Sequence, residues 1–383
     1  MKKRYLILSV ILCVVFLFNN IAAFADDEND GILTLEEAKA LALKNDVQFN
    51  LQESYIAQAK EDYKEVLEDS SGNANGKNSS VAAKAAAKIS QDVAIENAAF
   101  SVQKAILNKD SMIRESDYDV TTNFYGVIKA QYSLVEAEAD IKLKKSALEA
   151  ARIKYGLSII TKNSLSQAEI TYASSQTAYN KALSELQNSM SKLCNSIGID
   201  MNVFKDQLDL TLSVADIKSI ELSKIKEDNL KNNSTYYTAK EQYKLAEHKL
   251  SRTQELYEDY YEKFKGNSAV RDDFEDMLYD AQKDFDNVQY SYNEKLYDLN
   301  ITLSNQFTSI NNLYERYINQ KEEFEDAKVT NEESRIKYQM GVLSKSALDN
   351  SLASLKKLEN QLNTTIMNLN TQYLNMTQYS LNQ

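Results

Sequence analysis

The side chains of this 383-residue chain that could do chemistry are few and scattered. His248 is the only histidine, and it has no cysteine or carboxylate at a metal-ligand spacing, so we expect a surface residue. Cys194 has no second histidine to pair with it and is expected to be a small packed residue. The acidic run from Asp272 to Asp276 lacks the glycine and the spacing of a calcium loop. The sequence therefore predicts no catalytic residue, no metal site and no cofactor, and an enzyme is not expected.

The composition favours long helices instead. The chain has no proline and only 8 glycines, and proline is the residue that most strongly interrupts a helix. The formal net charge is −12, which makes nucleic acid and anionic membrane surfaces poor partners.

Residues 1–25 have the three parts of a secretory signal peptide. Lys2, Lys3 and Arg4 precede an apolar stretch, and small residues precede Asp26. The mature chain is predicted to begin at Asp26 and to be exported to the cell envelope or the exterior; an uncleaved signal anchor is the alternative. Residues 1–25 contain three cations and no acid, so removing them changes the charge from −12 to −12 − 3 = −15.

An apolar seven-residue period occurs twice, 183 residues apart. The first stripe and its second copy consist of Ile113, Val120, Val127, Leu134, Ile141, Leu148, Tyr155 and of Leu296, Leu303, Ile310, Tyr317, Phe324, Asn331, Tyr338. A later stripe, which begins at Leu165, returns at Leu348 with the same offset. Such a period is typical of helices that wind around one another, and Asn331 breaks it once. The sequence thus predicts an all-α chain with two helical repeats, residues 26–200 and 201–383.

The shorter elements also repeat. A capping box at Thr34 and Glu37 predicts a helix that ends near Asp46, and the segment from Leu43 returns at Leu230 with an offset of 187. Further helices are predicted over residues 48–69, 81–155, 238–265 and 269–338, with breaks at 70–80 and 266–268.

Each pair of heptad helices is joined by a short hairpin tip, residues 152–165 and 335–348. With the opening from Leu33 to Ala38, this plan resembles the TolC family of outer-membrane efflux proteins. The family tip reads Tyr-x-x-Gly-apolar-apolar-Ser/Thr, which the second tip matches at Tyr338, Gly341, Val342, Leu343, Ser344. The first tip matches at Tyr155, Ile159, Ile160, Thr161, but Ser158 takes the glycine position and Gly156 stands two places early.

The resemblance implies a trimer of long antiparallel helices that docks through its tips on an adapter (membrane-fusion) protein coupled to an inner-membrane transporter. Family members carry strand hairpins that complete an outer-membrane barrel; residues 70–80 and 266–268 stand in their place, so no β-barrel is evident from the sequence. An outer-membrane location is expected only if barrel strands are present.

The resemblance nominates ten partner-docking residues: Tyr155, Gly156, Ile159, Thr161, Leu165, Tyr338, Gly341, Val342, Ser344 and Leu348. Alternatives remain open for several. Tyr155 and Tyr338 could simply close their heptad stripes, Gly341 could serve the turn, and the aligned Lys162 and Lys345 could be solvated helix ends.

Two functions follow from this reading. The first is a TolC-like envelope component of an efflux or export system, acting as a passive conduit or docking partner. The second is a helical structural or interaction protein of the envelope that has lost channel activity. A neighbouring adapter and transporter gene would favour the first, and a lytic or binding enzyme would need a polar cluster that the sequence lacks.

Overall fold

The computed structural model describes residues 31–70, 81–202, 204, 207–264 and 266–378, and nearly all of them are helical. In these ranges the helices are α1 (Leu35–Asn45), α2 (Val47–Ser70), α3 (Val81–Gly156), α4 (Lys162–Ile197), α5 (Leu222–Asn232), α6 (Ser234–Phe264), α7 (Ser268–Gln339) and α8 (Lys345–Thr377). Two short strands, β1 (Ile32–Leu33) and β2 (Gln207–Leu208), pair in parallel, and a 3-10 turn spans Ile217–Ser219. The predicted all-α class is confirmed.

Local capping explains where α1 begins and where the first helix of each repeat gives way to the second. Thr34 accepts a hydrogen bond from the Glu37 N–H, and the Glu37 carboxylate accepts one from the Thr34 N–H at 2.8 Å, which is the predicted capping box. Asp46 separates α1 from α2 and caps α2 by accepting from the Gln48 N–H at 2.8 Å. Asn233 separates α5 from α6 in the same way and accepts from the Thr235 N–H at 2.8 Å. The offset of 187 is therefore also an offset in structure.

The predicted helix limits hold closely in the long helices. α3 and α7 each end one residue beyond the predicted Tyr155 and Tyr338. α6 begins at Ser234 rather than at residue 238, so that prediction was four residues late; the Asn233 side chain caps a polar segment that looks like a loop in the sequence. The predicted signal peptide lies outside the described residues, and so does the predicted break at residues 70–80 apart from Ser70, which is the last residue of α2 rather than part of the break.

The largest parts of the structure are two long helical hairpins. α3 has 76 residues, which corresponds to about 110 Å, and it packs along α4; α7, with 72 residues, packs along α8. The heptad stripes form their contact faces, and Val127 and Ile310, which are equivalent, are both fully buried. α3 also contacts α8, so the two hairpins lie side by side.

Two apolar clusters brace the hairpins at mid-length. In the first, Leu33 of β1 and Leu208 of β2 pack with α1 against Phe124 of α3 and Leu193 of α4. In the second, Ile217 of the 3-10 turn and Ile225 of α5 pack against α7 and α8. The first hairpin is thereby held by short elements from both halves of the chain, since β2 belongs to the second half, and the second hairpin by elements of its own half.

The end remote from the tips is built from four helices. α2 packs on α3, and α6 packs on both α7 and α3. Ala85 and Ile89 of α3, Leu256 of α6 and Phe274 of α7 form a third apolar cluster there. Among the described residues no helix combines the length and the apolar character needed to cross a membrane.

Candidate docking surface at the hairpin tips

The two tips have the same turn, built from different residues. At the end of α7 the Gly341 N–H donates to the Tyr338 carbonyl at 2.9 Å and the Val342 N–H donates to the Lys337 carbonyl at 3.0 Å, which is a Schellman motif. At the end of α3 the Ser158 N–H donates to the Tyr155 carbonyl at 2.9 Å and the following N–H donates to the Lys154 carbonyl at 2.8 Å. The two turns thus have the same pattern of backbone hydrogen bonds.

The left-handed position of each turn is the one that the family pattern assigns to glycine. Gly341 has φ +74°, and Ser158, at the equivalent position, has φ +58°. Serine accepts this conformation at a cost that glycine avoids. Gly156 lies inside α3 as its last residue, so it does not supply the turn.

The helices that leave the tips are capped by the last polar residue of each motif. Thr161 accepts a hydrogen bond from the Ser164 N–H at 3.2 Å, and Ser344 accepts one from the Ala347 N–H at 3.2 Å. These hydroxyls satisfy amides that the first turn of a helix leaves unpaired. Their geometry gives Thr161 and Ser344 a clear structural role.

Exposed apolar side chains lie at the outermost part of both tips, and we call those of each tip its crown. Ile159 is 65% exposed and Val342 is 70% exposed, and the tyrosines Tyr155 and Tyr338 are exposed at 42% and 38%. Leu165 is half-buried and Leu348 is buried between the helices, so these two hold the hairpins together rather than face solvent. Exposed apolar groups at the outermost point of a long hairpin are typical of a contact surface.

Four exposed apolar residues of the tips were missed by the sequence pattern. Ile153 and Leu157 are each 65% exposed, Met340 is 70% exposed and Ile336 is 46% exposed, yet none belongs to the heptad stripe or to the family motif. The signal that could have identified them is their position: they are apolar residues on the outer face of a predicted tip, where a solvated turn would be polar.

The tips are positively charged in an otherwise acidic chain. Residues 152–165 and 335–348 contain no acid, and their six cations are Arg152, Lys154, Lys162, Arg335, Lys337 and Lys345. The acids that pair with them lie behind the tips: Glu169 is 3.9 Å from Arg152, and Asp349 is 3.8 Å from Lys345. Glu332 receives two hydrogen bonds from Arg335, and these hold the pKa of Glu332 below its usual value. Each tip thus carries three cations and exposed apolar groups, and in the second tip all three cations are paired with acids outside the tip segment.

The other candidate groups of the sequence lie elsewhere. Cys194 is buried at the end of α4, and burial, with the nearby Asp200 carboxylate, raises the pKa of its thiol, as fits a packed residue. His248 Nδ1 lies 3.0 Å from the Glu96 carboxylate on the neighbouring α3. Within the described ranges no group of three or more histidine, cysteine or acidic side chains is arranged to hold a metal ion.

Comparisons with known proteins identify the fold. No protein-family model matches the chain, and neither does any curated protein. Solved structures do match: the outer membrane protein VceC from Vibrio cholerae is 13% identical, with 91% of this chain and 95% of that chain covered and a TM-score of 0.58. The outer membrane channel CmeC of Campylobacter jejuni is 12% identical, with 94% and 92% covered and a TM-score of 0.57. A membrane protein from Pseudomonas aeruginosa is 9% identical, with 91% and 90% covered and a TM-score of 0.61. The chain therefore has the fold of the TolC-family outer-membrane channels.

Proposed function

We propose that the chain is a cell-envelope component of an efflux or export system, and that it acts as a passive helical conduit whose tips dock on an adapter protein. The observation that carries this proposal is the exposed apolar side chains, with cations in the same segments, at the tips of both long hairpins. A partner that fits them presents apolar groups and acids, as the end of a helical hairpin can.

The proposal includes assembly from several copies, three if the chain follows the family, and an inner-membrane transporter beyond the adapter. Export through the predicted signal peptide would place the chain in the envelope. The light-scattering mass of the mature chain, residues 26–383, measures the assembly: a stable trimer supports it, and a single chain at all concentrations contradicts it.

The docking surface is tested by measuring the affinity of the chain for a candidate adapter protein from the same cell. The variant Leu157→Asp/Val342→Asp places one acid in each crown, at side chains that are 65% and 70% exposed, so the fold should be retained. Burying these acids against a partner removes apolar contacts and leaves unpaired charges, so we expect the Kd for the adapter to rise at least about 100-fold.

The matched control is Ile170→Asp/Val329→Asp, which changes two side chains of similar exposure, 57% and 63%, on the shafts of the hairpins. Its Kd should stay within about threefold of the parent, a change of less than 1 kcal/mol. Circular dichroism verifies that both variants keep their helix content. Equal adapter binding by the tip variant and the parent would refute the docking role.

A further inference from the structure

One side of the two long hairpins faces away from the short elements. Phe124 of α3 lies in the apolar cluster that contains α1, and its equivalent, Phe307 of α7, packs against the cluster that contains α5. Gly126 and Ser309 follow two residues later, so at about 100° per residue they lie about 200° around their helices. They are therefore on the opposite side, which we name the inner face; the side of Phe124 and Phe307 is the outer face.

The inner face can be followed to the tips, because a step of seven residues returns to the same side of a helix in a coiled coil. On α3 and on α7 the inner face consists of Gly126, Ser133, Asp140, Ala147, Lys154 and of Ser309, Arg316, Glu323, Thr330, Lys337. All of these residues except Gly126 are exposed. The inner face of each hairpin thus ends in a lysine at the tip.

The inner face borders the passage of the proposed conduit. α1 and α5 pack on the outer face, and inside a closed ring of helices they would fill the space that a passage needs. The assembly from several copies therefore turns Lys154 of every copy toward one shared opening at the tips. This step rests on the proposed function.

The two lysines differ in their pairing. Lys337 forms an ion pair with Glu333 at 3.3 Å, whereas Lys154 forms none with any acid in the described part of the chain. The acids of the inner face, Asp140 and Glu323, lie two heptads behind the lysines, which is about 21 Å along the helices. Charges at that separation are largely screened at physiological salt, where the Debye length is about 8 Å. Lys154 therefore sets the sign of the potential at the opening.

We propose that the opening at the tips admits anionic cargo in preference to cationic cargo, and that Lys154 determines this preference. Each copy adds one ammonium group to the same opening, and like charges in a cleft with low-dielectric walls raise the local concentration of counter-ions. Behind the lysines the inner face continues with the uncharged Ala147 and Thr330. The net charge of the chain, −12, has the opposite sign, so the preference comes from the local arrangement alone.

The reactivity of an introduced thiol measures the potential at this opening. In the full chain with Cys13→Ser and Cys194→Ala, the variant Ala147→Cys places a thiol on the inner face, one heptad or about 10 Å from Lys154. Its reaction rate with an anionic methanethiosulfonate is divided by its rate with a cationic one, which cancels the reactivity of the thiol itself. The ratio is then normalised to that of free cysteine.

We expect a normalised ratio of at least about 3 when Lys154 is present, because its charge attracts the anionic reagent and repels the cationic one. Lys154→Glu reverses the charge in every copy and should lower the ratio at least about fivefold, whereas Lys154→Arg should keep it. Circular dichroism verifies that the helix content is unchanged.

The matched control is Lys145→Cys. Lys145 lies three heptads beyond Phe124, on the outer face and nearly level with Ala147, so the wall of the assembly separates it from the passage. Its ratio should change less than about twofold on Lys154→Glu.

Two results would overturn the preference while the proposed conduit stands: an assembled parent with a normalised ratio below 1, or no effect of Lys154→Glu at Ala147→Cys. A parent that is a single chain at every concentration would overturn both, and adapter binding would still test the tips separately.

Discussion

The two long hairpins have the same backbone plan but differ in one internal layer. In the hairpin of α3 and α4 that layer holds Leu148, which is 5% exposed. In the hairpin of α7 and α8 the equivalent residue is Asn331, whose Oδ1 accepts a hydrogen bond from the Ser351 hydroxyl at 3.1 Å. The counterpart of Ser351, 183 residues earlier, is Ala168. An apolar pair and a polar pair thus occupy the same place in two copies of one design.

This difference shows how a break in a heptad stripe is tolerated. A polar group between packed helices is costly when it is unpaired and nearly neutral when a partner is supplied. The second hairpin supplies the partner from the facing helix. We therefore expect the polar pair to fix the register of α7 against α8, at the expense of some stability relative to the first hairpin.

The largest effect is expected when the asparagine alone is moved to the first hairpin. Leu148→Asn removes a buried apolar side chain and leaves an amide unpaired, so the free energy of unfolding should fall by about 3 kcal/mol. Adding Ala168→Ser restores a partner and should recover about 1 kcal/mol. Urea denaturation followed by circular dichroism measures both. An Ala168→Ser addition that recovers nothing would show that the two layers are not equivalent.

The reverse exchange should produce a smaller gain. Asn331→Leu/Ser351→Ala converts the second layer to the chemistry of the first, and we expect the urea midpoint to rise by the equivalent of about 1 kcal/mol. Asn331→Leu alone leaves the Ser351 hydroxyl without Asn331 and should gain less. If the double variant were less stable than the parent, the polar pair would stabilise the hairpin as well as fix the register of α7 against α8.

The sequence predicted the long elements well because their signal is local. A seven-residue period over Ile113 to Tyr155 is consistent with a packed helix whatever lies nearby, and the offset of 183 located both tips to within a residue or two. The turn residues Ser158 and Gly341 followed from the same alignment, and both have positive φ. Only the start of α6 was displaced, where a side-chain cap turns a polar segment into a helix.

The surfaces were harder to predict because they depend on contacts distant in sequence. The heptad pattern identifies one face of a helix, whereas α3 is packed on several sides and α7 on fewer. Nothing in the residues around the buried Leu107 or the exposed Tyr290 shows which of the two is covered, since the contacts of α3 with α6 join residues 126 and 152 positions apart. The crown residues Leu157 and Met340 were not predicted for a related reason, which is that their exposure depends on the shape of the tip.

The turn residues allow a subtler comparison of the tips. Ser158→Gly should raise the free energy of unfolding by about 0.7 kcal/mol, because glycine adopts positive φ without steric cost. Gly341→Ser should lower it by a similar amount, since an added Cβ would meet no atom within 4 Å and the backbone conformation alone opposes it. The two changes together should nearly cancel in urea denaturation. A loss well above 1 kcal/mol for Gly341→Ser would mean that the second turn is held by something more than its backbone.

The smallest difference between the tips is expected at the N-caps of α4 and α8, and the structure predicts which of the two caps is affected more. The Ser164 N–H donates to Thr161 Oγ1 at 3.2 Å, whereas the Ala347 N–H donates both to Ser344 Oγ at 3.2 Å and to the Ser344 carbonyl at 3.1 Å. Removing the hydroxyl should therefore expose the Ser164 amide more than the Ala347 amide. Amide hydrogen exchange should show about a twofold acceleration at Ser164 in Thr161→Ala, equivalent to about 0.5 kcal/mol, and a smaller change at Ala347 in Ser344→Ala. Equal acceleration at both amides would mean that the carbonyl contact of Ser344 contributes nothing, and that the two tips, although built from different residues, are capped with the same strength.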